Sequence, residues 1–306
     1  MKKIYLDKDI KIADECAVAI GKFDGIHLGH IKLLRRLLDF KSRGLKTVVF
    51  TFEKSLSSFF TGIPESNLMS EEEKDEFLSE LGIDICAVYP VNADSVAVPP
   101  DDFIDDYLVS ALNAKVIVAG PDLSYGDKGL GDFNLLREHS KGRYECIEID
   151  KEIENSTGRE ISSTYVREVV ALGDMELAGS LLGRPYSVYG KVEHGRKLGR
   201  VLQFPTVNLL PLSDKLLPPY GVYLANVVVG SELYKGVANV GIKPTISDHE
   251  AVCVETHILD FDDDLYGENI RVELLSFMRP EQKFESIDKL KEQLGKDIAA
   301  AREMEL

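Results

Sequence analysis

The chain has 306 residues, with 36 Lys and Arg against 52 Asp and Glu, for a formal net charge of −16 at pH 7. That length allows two domains of ~150 residues each, and the acidic balance repels phosphate backbones, which argues against general nucleic-acid binding. With 44% hydrophobic residues, 24 Gly and 12 Pro, the composition is that of a folded globular protein and excludes a disordered or collagenous one.

The opening MKKIYLDKDIKIADE is charged every few residues where a signal peptide needs an apolar core. No later stretch approaches ~18 uninterrupted apolar residues. Cys16, Cys86, Cys146 and Cys253 are far apart, so neither a CxxC redox pair nor a zinc knuckle can be read. These features predict a cytoplasmic protein with no membrane partner.

From residue 15 to about 150, Val- and Ile-rich runs alternate with helical patterns, as parallel strands with crossover helices do. Strands are expected over 17–23, 46–52, 85–91, 115–120 and 144–150. Between them, Ile31, Leu34 and Leu38 mark a helix closed by Gly44, and Ser70 with Glu73 forms a capping box for the next. Pro99 and Pro100 open a third helix through Tyr107 and Leu108. After Ser162 about twenty residues read as helix, with Tyr165, Val169 and Leu172 on one face, until Gly183 and Pro185 stop it. A domain boundary is placed there, giving 1–183 and 184–306. Beyond it, alternating strands near Tyr186–Val192, Val222–Val229, Val252–Leu259 and Ile270–Phe277 have turns but no helices between them. That pattern predicts antiparallel pairing in a small barrel or sandwich, followed by a terminal helix over Ser286–Glu303. Thus the fold class is α/β plus β.

The first strand runs into GKFDGIHLGH, Gly21 to His30. Glycines there let the backbone turn sharply and approach a phosphate before a helix begins. His27 and His30, one turn apart, add two imidazole groups to the backbone amides and the positive end of the dipole. The residues describe a triphosphate cradle without a Walker lysine. Two alternatives stand beside it: a metal held by the histidines with Asp24, and histidines that merely cap the helix.

This segment resembles the HxGH nucleotidyltransferases, and more closely the N-terminal domain of the bacterial bifunctional riboflavin kinase/FAD synthetase (FMN adenylyltransferase) family. The resemblance implies a Rossmann-like domain in which His27 and His30 stabilise ATP phosphates while the phosphate of FMN attacks the α-phosphorus. Gly21, Phe23, Asp24 and Gly29 belong to the same nucleotide-binding motif. A second marker, ISSTxxR, appears as Ile161, Ser162, Ser163, Thr164 and Arg167. Hydroxyls at a helix start with Arg167 one turn on also form an anion site in their own right. Three departures stand out: Lys22 where asparagine is usual, Thr51–Ser55 without a Pro-His-Pro-like continuation, and Gly120–Gly126 with Leu123 and Tyr125 in a flavin-side loop that keeps Gly120, Asp122 and Gly126. A lost aromatic at Leu123 removes stacking worth ~0.5–1.5 kcal/mol. The departures motivate a runner-up in which the first domain has lost or changed its adenylyltransferase activity.

In the second half, GKVEHGRKLGRVLQFPTVNL, Gly190 to Leu209, combines glycines including Gly190 and Gly195, cations including Lys197, and a strand carrying Thr206 and Asn208. A glycine loop can fold over phosphates, and two residues two apart on a strand share a face, offering neutral oxygens suited to Mg²⁺. A solvated hairpin and an ordinary edge-strand pair are the plain alternatives. The segment resembles the flavokinase signature, and the likeness continues through PPYGVY, GVANVGIKPTI, VETHILDF and LYGENIRV. It implies a small antiparallel β-barrel flavokinase domain that holds Mg²⁺–ATP through Thr206 and Asn208. Glu255 is then the general base that takes the proton from the ribityl hydroxyl as it attacks the γ-phosphate. An acidic run at Asp260–Asp264 is no EF-hand, since Leu265 stands where the loop needs glycine. His194 and His257 are given no role. The implied substrates are riboflavin, FMN and ATP, with Mg²⁺ as cofactor; the oligomeric state is not legible.

Overall fold

A computed structural model describes residues 1–7, 9–193, 204–212, 214–244 and 250–303. The chain forms two compact units, one of residues 1–67 and 71–163, the other of 68–70 and 164–306.

The first unit is built on β1 (Lys2–Tyr5), β2 (Cys16–Ile20), β3 (Lys46–Phe52), β4 (Ile85–Tyr89), β5 (Ala114–Ala119) and β6 (Glu145–Glu148). They form one sheet, all parallel, in the order β1-β4-β3-β2-β5-β6. Every residue of β2 and β4 is buried, the signature of central strands covered on both faces, whereas β1 and β6 at the edges are exposed at their ends. Five expected strands are present to within a few residues. The edge strand β1 is additional: a four-residue run of two lysines followed by Ile4 and Tyr5 has no period-2 alternation to be read.

The connections include α1 (Leu28–Asp39), α2 (Leu56–Thr61), α3 (Glu71–Glu80), α4 (Pro100–Asp102) and α5 (Phe133–Ser140). Gly44 closes the turn after α1 at φ 79°, as expected of a glycine there. Helix α4 begins at the prolines but continues as a wider π-helix, Phe103–Ala111. Its Phe103 and Tyr107 rings pack on Tyr89, with Phe50 against Phe103 and Tyr89. Packing of bulky rings thus overrides the 3.6-residue period that the sequence suggested. The short α2 and α5 are additional to the expected helices.

Helix α6 (Ser163–Leu172), whose first residue still belongs to the first unit, and α7 (Met175–Leu182) open the long segment of the second. The expected continuous helix is broken at Gly173, whose φ of 81° stops α6, and Asp174 restarts the chain by capping Leu177 N–H at 3.0 Å. Among the described residues six strands then follow: β7 (Tyr186–Glu193), β8 (Val207–Leu209), β9 (Gly221–Val229), β10 (Glu232–Pro244), β11 (Glu250–Ile258) and β12 (Asn269–Arg279). They close into an antiparallel barrel, β10-β11-β8-β7-β12-β9. Closure decides for the barrel over the sandwich and leaves no free edge. Strand β10 is additional to the expected strands: Gly236 and Gly241 interrupt the alternation that would mark it in the sequence. The terminal helix α8 (Ile287–Glu303) is fixed by Asp297, 3% exposed, which accepts from Arg279 Nη2 at 2.7 Å and from Gln293 Nε2 at 2.8 Å.

Candidate functional site

In the first unit the chain direction out from the centre reverses between β2 and β5, and an open parallel sheet offers its ligand crevice at that switch, beyond the carboxyl ends of the strands. A cavity of about 360 Å³ lies there. Its lining comes from the end of β2 (Ile20, Gly21, Lys22), the start of α1 (His27, Gly29, His30) and the turn after β5 (Gly120 to Ser124). Phe52 and Ser162–Ser163 complete the relevant wall.

The loop from β2 to α1 is strained. Phe23 and Ile26, both fully buried, hold left-handed φ values of 52° and 41°, with Gly25 at 77° between them. A bulky residue there costs about 1–3 kcal/mol, which burial of both side chains offsets. The strain has a geometric result: His27 arrives at the N-cap of α1, and its ring stacks on that of His30 at 3.9 Å between centroids. Gly29 makes room for this, because a Cβ would come within 3.1 Å of the His27 ring. Although His27 occupies the N-cap position, its side chain makes no capping hydrogen bond. The capping alternative therefore fails for His27, and among the described residues no cluster of three His, Cys, Asp or Glu could hold a metal. No acidic residue stands in the first turn of α1, so the helix's own first turn does not offset the positive end of its dipole, and His27, Gly29 and His30 line the cavity.

Other expected residues fall in different places. Phe23 lies behind the cavity, its ring 5.1 Å from that of His30, and Asp24 is buried with its carbonyl accepting from Ser163 Oγ at 2.8 Å. Neither lines the cavity; both position what does. Asp122 does line it, and a Cβ at Gly120 would come within 2.9 Å of its Oδ1. Lys151, also in the wall, reaches Glu160 at 2.8 Å and Asp122 at 3.5 Å. Chiefly through its bond to Glu160, the Lys151 ammonium is held above its usual range. Ser162 and Ser163 line the cavity, while Thr164 and Arg167 belong to the second unit and are not among the lining residues. Tyr125 is 3% exposed and packs on Phe103, so it serves the core and not a ring-stacking face.

In the second unit a cavity of about 320 Å³ is lined by Pro205, Thr206, Val207, Thr256 and the segment Phe261–Tyr266. Thr206 donates its hydroxyl proton to Glu255 Oε1 at 2.6 Å. A hydroxyl that gives its one proton to a carboxylate keeps both lone pairs for a hard cation. Thr256, fully buried in the same wall, has an Oγ1 with no hydrogen-bond partner. Asn208 sits across from Glu255 in the β8–β11 register and is 5% exposed, its Oδ1 3.6 Å from Cys253 Sγ. Thr206 precedes β8 instead of lying in it, so the two share the strand end and not a regular strand face. His257 Nδ1 meets Pro205 O at 2.8 Å and fixes the backbone that carries Thr206, a positioning contact that a lone strand histidine did not advertise. Gly190 is within β7, paired with Ile270, and not in a phosphate loop; Gly195 and Lys197 lie outside the described residues, as does His194.

Two family models match the chain, riboflavin kinase over residues 182–305 and FAD synthetase over residues 9–165. The bifunctional riboflavin kinase/FMN adenylyltransferase of Listeria monocytogenes is 38% identical over 305 residues, covering 97% of this chain and 96% of the relative. The protein of the same description from Escherichia coli K12 is 38% identical over 291 residues, covering 94% and 92%. A crystal structure described as a macrolide-efflux protein from Streptococcus pneumoniae superposes over the full length of both chains with a TM-score of 0.87 at 30% identity. Among the described residues no helix is long and apolar enough to cross a membrane. Two matched domains and relatives aligned along nearly the whole length establish that the chain belongs to the bifunctional riboflavin kinase/FMN adenylyltransferase family.

Proposed function

We propose that the chain makes FAD in two ATP-dependent steps, phosphorylating riboflavin to FMN in the part from residue 184 and adenylylating FMN in the part up to residue 183, in the cytoplasm. The observation that carries the first-unit assignment is the stacked His27–His30 pair at a helix start with no acidic residue in its first turn, lining the switch-point cavity. The N-terminus of α1 with both imidazoles holds the ATP phosphates and takes up the charge that develops as pyrophosphate leaves. Ser162 and Ser163 add hydroxyl donors, and Asp122 fixes the flavin side of the cavity.

For the kinase, Glu255 is the base. Its carboxylate, held by Thr206, takes the proton of the attacking hydroxyl, so that the nucleophile is uncovered only when aligned. Thr206 and Asn208 supply neutral oxygens that suit Mg²⁺ carried in with ATP, and that ion would neutralise charge on the transferring phosphoryl group. Thr256, buried with an unsatisfied oxygen in the same wall, fits a polar ligand there.

The assignment is tested by His27→Ala, with FAD formation from supplied FMN and FMN formation from riboflavin measured on one preparation. A loss of about 100-fold or more in the first with the second unchanged is expected, the scale of one lost charge-stabilising donor. Wild-type FAD output would refute the cradle.

A further inference from the structure

The wall of the first-unit cavity carries an excess of negative charge. Its lining includes two lysines, Lys22 and Lys151, and four acids, Asp122, Asp150, Glu152 and Glu160, of which Glu152 is paired with Lys32 at 2.8 Å. A reaction between two phosphate-bearing substrates runs against that field, and a lysine that can be released to them would join the helix start and imidazoles in opposing it. Lys151 is held from two sides, by Glu160 and by Asp122. Lys22 is differently placed. Its Nζ pairs at 2.6 Å with Glu65, which is not among the lining residues, and the two side chains are 37% and 35% exposed.

The backbone beneath Lys22 is fixed, since its carbonyl accepts from Thr51 Oγ1 at 3.0 Å and the neighbouring Gly21 N–H donates to Phe50 O at 3.1 Å. Glu65 approaches from the segment after α2, where its N–H donates to Ser58 Oγ at 3.0 Å. An ion pair this open to water is weak, whereas a phosphate brings more charge and three oxygens to the same ammonium. Resting on the adenylyltransferase reading of this cavity, we propose that Lys22 binds a substrate phosphate group and that Glu65 holds its place until the phosphate displaces it.

The test uses the full-length protein with Lys22→Met, Glu65→Gln and the double variant, measuring the KM for ATP and for FMN separately in FAD formation. Far-UV circular dichroism and the urea midpoint of each variant report that the first unit is folded, and riboflavin phosphorylation, which neither residue serves, reports the same for the second. Loss of the cation is expected to raise one KM about tenfold, the scale of a charge-assisted contact. A rise for ATP places Lys22 on the triphosphate, and a rise for FMN places it on the flavin phosphate. Glu65→Gln is expected to lower that same KM by removing the competitor, and the double variant to match Lys22→Met. A KM that Glu65→Gln raises or leaves alone, or two KM values that Lys22→Met leaves within about twofold, overturns the proposal, because a merely structural pair weakens the site from both ends or not at all. Equilibrium binding of ATP and of FMN to the same variants reads the exchange without turnover. Wild-type protein that makes no FAD from FMN would instead count against the cavity's adenylyltransferase role.

Discussion

Glu255→Gln isolates the proposed base from the fold around it. Glutamine keeps the shape and an amide oxygen that accepts the Thr206 hydroxyl now bonded at 2.6 Å, so the strand end is preserved at a cost below about 1 kcal/mol. What it loses is the capacity to take a proton. A positioned general base contributes about 10²–10⁴ in rate, which at 1.36 kcal/mol per tenfold is about 2.7–5.4 kcal/mol of barrier. The assay is the initial rate of FMN formation from riboflavin with saturating ATP, read beside FAD formation from supplied FMN. We expect kcat for the first to fall at least 100-fold with its KM values within a few-fold, and the second to stay at the wild-type rate. A Gln variant that retains a tenth or more of the wild-type kcat would refute the role of Glu255 as base. Loss of both activities would refute the separation of the two sites.

Two further outcomes follow from the packing. Asp297→Ala strips Arg279 of a buried carboxylate that it contacts through Nε at 3.2 Å and Nη2 at 2.7 Å, and should lower the urea stability of the barrel by about 3 kcal/mol; Arg279→Met with Asp297→Leu should recover most of that. The chain has no Trp, so far-UV circular dichroism is the readout, and a loss below about 1 kcal/mol would contradict the account. Asp84 is the pH-sensitive counterpart in the first unit. Burial works against its charge, but bonds from the Thr47 N–H and hydroxyl and from Lys41 outweigh that and hold the carboxyl below the usual range. A depressed folded-state value means stability that is complete above the unfolded value and lost as pH falls through the folded one. Wild type should therefore exceed Asp84→Asn by about 1 kcal/mol at pH 7, with the gap closing in acid below the carboxylate range of about 4. A gap independent of pH would show that the contact is not ionic.

Much of this architecture was legible because its signals are local. Val- and Ile-rich runs buried on both faces gave the central strands, and the glycines of Gly21–His30 announced a backbone that must turn sharply. Other features depend on tertiary partners. The π-helix over Phe103–Ala111 exists because Phe50, Tyr89, Phe103 and Tyr107 must interlock, and no window of sequence carries that demand. Phe23 and Asp24 sit inside a motif that reads as ligand contact throughout, yet one packs under His30 and the other anchors Ser163. Spacing alone cannot separate residues that touch a ligand from those that shape the loop. His257 was passed over for a related reason: its contact with Pro205 joins residues 52 apart in the chain.

The central claim, one chain with both activities, is met most directly by following riboflavin, FMN and FAD chromatographically over time with Mg²⁺–ATP and either riboflavin or FMN supplied. The account predicts FAD from both starting flavins, with FMN appearing before FAD when riboflavin is given. FMN accumulating from riboflavin with no FAD from either flavin would contradict it, and would mark the cavity behind His27 and His30 as one that no longer transfers a nucleotide to FMN.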